Sequence, residues 1–78
     1  MINVNTDIIE YTEEGVRYIL KEYIITSSHQ NSMVKIVMDK LRNQIFTDED
    51  GTATITTSNT KEHTLKITIG DETITETL

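Results

Sequence analysis

After Gly51 the chain switches to a period of two, apolar side chains alternating with polar ones that are mostly threonine, and this pattern constrains the fold more than any other feature. Successive side chains on a β-strand point to opposite faces, so such a stretch builds a sheet with one oily and one polar side. Three strands follow: Thr52–Ser58, Thr64–Ile69 and Glu72–Leu78. Gly70-Asp71 is a two-residue hairpin loop of the type that matches strand twist. It sets Ile69 opposite Glu72, Ile67 opposite Ile74 and Leu65 opposite Glu76. Because a slip of one residue flips every side chain, Ile55 must share a face with Leu65 and Ile67. The loop joining the first two strands is then expected to have three residues or five. The apolar face is Ala53, Ile55, Leu65, Ile67, Ile69, Ile74 and Leu78.

The N-terminal half reads differently. Residues 1–11 suit an extended segment or short strand, with Ile2 and Val4 alternating with asparagines. Thr12, followed by Glu13 and Glu14, has the character of a helix N-cap. Val16, Ile19, Leu20 and Tyr23 then recur at i, i+3, i+4 and i+7. Val34, Val37, Met38, Leu41 and Ile45 repeat the helical spacing, with Lys35, Asp39, Lys40 and Arg42 between them. The expected fold is therefore α+β: two helices within 12–46 packed on a three-stranded antiparallel meander over 52–78. This is an ααβββ two-layer arrangement in one domain of 78 residues.

A chain this short buries only about 60–65% of the surface its unfolded form exposes. It has no cysteine to form a staple, so a homodimer or a stable complex is the expected support. The N-terminus has neither the basic start nor the apolar stretch of a signal peptide. Apolar runs reach only three residues, as in Tyr23-Ile24-Ile25, against about 20 for a membrane span. A soluble, cytoplasmic protein with no membrane contact is expected.

Charge supplies the functional clue. The net charge is −6, and the excess lies late in the chain. Residues 48–78 hold Asp48, Glu49, Asp50, Glu62, Asp71, Glu72 and Glu76 against Lys61 and Lys66. Such a segment repels a polyanion and attracts a basic surface, so direct nucleic-acid binding is not expected.

Chemistry-bearing motifs are weak. Asp48-Glu49-Asp50-Gly51 suggests a cation loop, but placing Gly51 sixth puts Phe46 first and Thr57 twelfth, where carboxylates are needed. Ser27, Ser28 and His29 hold the ingredients of a nucleophilic triad without its context. No metal, cofactor or enzymatic activity is expected. Tyr11 and Tyr18 exceed what a core requires, and exposed tyrosine is common at interfaces.

The expected function is a non-enzymatic protein-binding module. It would act as an inhibitor occupying a basic, nucleic-acid-binding surface of a partner protein, as small phage anti-defence proteins such as anti-CRISPRs do. That comparison is one of class, size and charge. The candidate contact residues are Asp48, Glu49, Asp50, Asp71, Glu72, Glu76, Tyr11 and Tyr18. The alternatives are a dimeric helix-turn-helix-like regulator using Lys35, Lys40 and Arg42, and a structural oligomer subunit.

Overall fold

The computed structural model describes all 78 residues, and they contain no helix. Seven strands form two antiparallel sheets. The strands are β1 (Asn3–Glu13), β2 (Val16–Thr26), β3 (Met33–Met38), β4 (Leu41–Phe46), β5 (Thr52–Thr57), β6 (Thr64–Ile69) and β7 (Glu72–Thr77). Sheet A has the order β1-β2-β5 and sheet B the order β4-β3-β6-β7.

The expected α+β fold is thus corrected to all-β, and the first helix is replaced by a long hairpin. Glu14 and Gly15 both adopt positive φ, 51° and 77°, which is the conformation of a tight strand-reversing turn. Gly15, within the segment expected to be helical, makes this turn. Beyond it, Lys21, Tyr23 and Ile25 are buried at every second position, while Glu22 and Ile24 between them are half-buried on the other face. The residues at helical spacing had mixed the two faces. The β-branched content of Val16, Ile19, Ile24, Ile25 and Thr26 favours the strand.

The second helix is likewise a hairpin. Val34, Ile36 and Met38 face inward from β3, and Val37 faces outward among charged side chains. The chain reverses at Asp39-Lys40, with Asp39 at φ 54°. Leu41, expected in a helix core, is 72% exposed. Without helices the helix-turn-helix alternative falls, and no helix is long and apolar enough to cross a membrane.

The C-terminal strands lie where the alternation places them. β6 pairs with β7 in the expected register, Ile67 opposite Ile74 and Leu65 opposite Glu76, around Gly70 at φ 61°. The three-stranded meander, however, does not form. β5 leaves β6 and pairs with β2, while β6 takes β3 as its other neighbour. Ile55 still shares a core with Leu65 and Ile67, but from across the sandwich. Two sheets covering one another satisfy both apolar faces, as a helical layer over a single sheet would have done.

The core joins Ile2, Tyr23, Ile25 and Ala53 of sheet A to Val34, Ile36, Met38, Leu65, Ile67 and Ile69 of sheet B. Val4, Ile45, Ile55, Ile74 and Leu78 pack at its margin. One end of the sandwich is pinned by buried Thr47. Its hydroxyl donates to the His29 carbonyl at 2.7 Å and accepts from the Ser32 N–H at 2.9 Å.

Candidate functional site

β2 pairs with β5 only from Lys21 to Thr26, yet its pairing with β1 runs on to Glu13 and Val16. At about 3.3 Å per residue, Val16–Leu20 carry the hairpin about 16 Å beyond the body of the sheet. The result is a two-stranded arm on a molecule 44 Å long and 18 Å thick.

The arm is apolar on both faces. On the outward face Tyr11 and Tyr18 are directly paired and their rings stack, with centroids 5.2 Å apart. Ile9, Leu20 and Val16 share that face. On the other face lie Ile8 and Ile19, beside a Glu10–Arg17 ion pair at 2.6 Å. Ile8, Tyr11, Val16, Tyr18 and Ile19 are each between 41% and 54% exposed. A two-stranded ribbon is marginal in water by itself, and the Tyr11–Tyr18 stack supports it only locally, leaving five large side chains about half exposed. Contiguous exposed apolar side chains are a feature found at interaction surfaces. The arm's charge is acidic: Glu10, Glu13 and Glu14 against Arg17.

The acidic candidates gather at the other end. The Ser27 N–H donates to the Gly51 carbonyl at 2.9 Å, tying the β4–β5 loop to the base of the hairpin. His29 bridges that loop to the β6–β7 turn through its Nε2 contact with Glu72 at 2.9 Å. Asp48, Glu49, Asp50, Asp71 and Glu72 therefore share one end of the sandwich, while Glu76 lies towards the opposite end of β7, across from Leu65. The eight candidates are not one site.

Two of the acids are engaged in holding the fold. The Asp48 carboxylate accepts the N–H groups of Asp50 and Thr52, both at 2.9 Å, and so shapes its loop. Glu72 meets His29 and the N-terminal amine, and these contacts, His29 first, hold its carboxyl below the usual carboxylate range. Glu49, Asp50 and Asp71 remain exposed. Sequence reasoning found the tyrosines but assigned Val16 and Ile19 to a core and passed over Ile8.

His63 closes the arm end of the sandwich. Its side chain is 7% exposed; Nδ1 meets Asp39 Oδ2 at 2.7 Å, and Nε2 meets the Asn59 carbonyl at 2.8 Å. Two acceptors require both ring nitrogens to donate, so this geometry favours the imidazolium. The Asp39 bond, followed by that to Asn59, raises the His63 pKa above 6.5. Asp39 is lowered from 3.8 by His63 first and the Thr64 N–H second.

The His63 contribution is full below its unfolded value and is lost as pH rises through its raised folded value. The Asp39 contribution is present above its unfolded value and is lost as pH falls through its lowered folded value. Glu72 adds to the acid limb in the same sense. Melting temperature should therefore peak between about pH 4 and 6.5. In His63→Gln, thermal melts across pH should show the alkaline decline flattened; an unchanged slope would refute the pairing.

Comparison with protein-family models, with curated proteins and with solved structures finds no match to this chain.

Proposed function

We propose that this chain is a non-enzymatic module that binds a protein partner through the β1–β2 arm, and that the partner surface is basic and receptive to aromatic side chains. The observation that carries the reading is the arm: five large apolar side chains held in water on a ribbon whose own charge is acidic. Apolar contact supplies the affinity, and the carboxylates steer the encounter and select for a cationic partner. Occupation of a nucleic-acid-binding surface of that partner, hence inhibition, is the role such a shape and charge suit, and it places the action in the cytoplasm.

The test is affinity purification with the tagged full chain from its own source. Partners are identified by mass spectrometry and then titrated in purified form. Tyr11→Ser/Tyr18→Ser should weaken the purified partner at least about tenfold, since aromatic anchors lost from an interface cost about 2 kcal/mol or more. Charge reversal at Glu10, Glu13 and Glu14 should slow association and flatten its salt dependence. A partner held equally by the wild type and both variants would sink the proposal.

A further inference from the structure

Although the molecule is acidic, the paired rows on the outer face of sheet B carry no carboxylate; the nearest, Asp39 at the β3–β4 turn, is engaged by His63 and by the Thr64 N–H. Reading across from β4, one row is Arg42, Val37, Lys66 and Thr75, and the next is Gln44, Lys35, Thr68 and Thr73. Glu72 and Glu76 fall on the alternate positions of β7 and point away from this face. Arg42 and Lys66 flank Val37, and Lys35 sits diagonally between them. With strands about 4.8 Å apart, the Arg42 and Lys66 backbones are about 10 Å apart.

None of these three cations has a carboxylate partner, in a chain with thirteen acids. Together they line a cavity of about 320 Å³, with Gln44, Thr68 and Val37 completing its walls and floor. That volume is at the lower end of the range for small-molecule sites. One row further along β4, on the same face, Phe46 is 65% exposed beside Met33.

Three unpaired cations around a cavity repel one another and are relieved by an anion. Arginine and lysine with amide and hydroxyl donors suit phosphate oxygens. An exposed phenylalanine ring beside them offers a stacking surface for a base. We infer that the outer face of sheet B binds a nucleotide, its phosphates over Lys35, Arg42 and Lys66 and its base on Phe46. The source is either a free nucleotide or a single strand of nucleic acid. The site is separate from the arm and does not depend on the arm's having a protein partner. Most of the acids that argued against a polyanion lie on the arm, on the loops or on the alternate positions of β7, and Asp39, at the margin of this face, is occupied by His63 and Thr64.

The experiment is isothermal titration of the full chain with inorganic triphosphate, with ATP and with oligothymidylates of increasing length. Saturable binding of ATP or oligothymidylate is expected. Arg42→Glu and Lys66→Glu should each weaken it about tenfold, and Phe46→Ala at least about fivefold. Lys61→Glu, a charge reversal elsewhere, should leave it unchanged. All four side chains are exposed, so circular dichroism and melting should match the wild type.

ATP binding that no strand exceeds would assign a free nucleotide. Affinity rising with strand length, with a log–log salt slope of about −2 for three cations, would assign a strand. No saturable binding of either at millimolar concentration would overturn the inference, as would equal weakening by Lys61→Glu. Triphosphate binding as tightly as ATP, indifferent to Phe46→Ala, would overturn the placement of the base.

Discussion

Replacing Gly51 by alanine should destabilise the protein by about 3 kcal/mol or more and lower its melting temperature by at least about 12 °C. Gly51 sits at φ 78°, where an L-residue is strained, at a cost of about 1–2 kcal/mol. A Cβ built there also falls on the Ser27 backbone carbonyl, well inside van der Waals contact, with the His29 carbonyl 3.5 Å away. Neither atom can swing aside as a side-chain tip could. Ser27 also donates its N–H to Gly51, so moving it breaks the tie between the hairpin and the β4–β5 loop. Gly15 is the internal control. Its φ is nearly the same, 77°, but nothing lies within 4 Å of a Cβ built on it. Gly15→Ala should therefore cost only the backbone term. Thermal melts of the two variants side by side check this, and equal losses would contradict the close approach at Gly51.

Tyr23→Ala should cost about 4 kcal/mol, in the range for removal of a buried aromatic. A domain of this size is stable by only about 4–12 kcal/mol, so the loss is at least about a third of the total and should lower the melting temperature by about 16 °C or more. Tyr23 is fully buried in the centre of β2. Its hydroxyl donates to the Leu78 carbonyl at 2.9 Å, His63 meets its ring edge-on at 6.4 Å, and the Lys21 ammonium lies 5.4 Å from the ring centre. It therefore joins sheet A to the closing contacts of sheet B. Tyr23→Phe keeps the ring and removes one hydrogen bond. The Leu78 carbonyl retains the His63 N–H, so the cost should be about 1 kcal/mol. Denaturant unfolding separates the two, and a Tyr23→Phe loss as large as that of Tyr23→Ala would show that the hydroxyl, not the packing, holds the site.

The same residues explain what could be read from the sequence. β6, β7 and their register were legible because Gly70-Asp71 is a local signal and the alternation around it is unbroken. The seven residues assigned to the apolar face do line the core. The partner of β5 was not legible. An alternating strand declares which face is oily, not which neighbour it pairs with, and β2 had been read as helical. The Asp39-Lys40 turn was hidden for a different reason. Asp39 is held at positive φ by its own N–H donating to the Thr64 carbonyl at 2.8 Å and by its carboxylate on Thr64 and His63. Those partners lie about 25 residues away, so nothing local marks the reversal. Across such an unmarked turn, Val34, Val37, Met38, Leu41 and Ile45 imitate a helix face.

For the candidate site, the sequence offered the tyrosines and the acidic excess as contact residues without showing where they lie. The fold separates them to opposite ends. It also collects Lys35, Arg42 and Lys66 from β3, β4 and β6 onto one face, which no window along the chain could reveal.

The reading depends most on the arm standing free of the core. Native-state hydrogen exchange of the full chain by NMR tests this directly. Amides of Ile36 and Ile67, inside the four-stranded sheet, should exchange only through global unfolding. Those of Tyr11 and Tyr18, held by the two-stranded ladder alone, should exchange through a local opening at least about tenfold faster. Protection at Tyr11 and Tyr18 equal to that at Ile36 and Ile67 would mean the arm is already covered, and would contradict its assignment as the surface that awaits a partner.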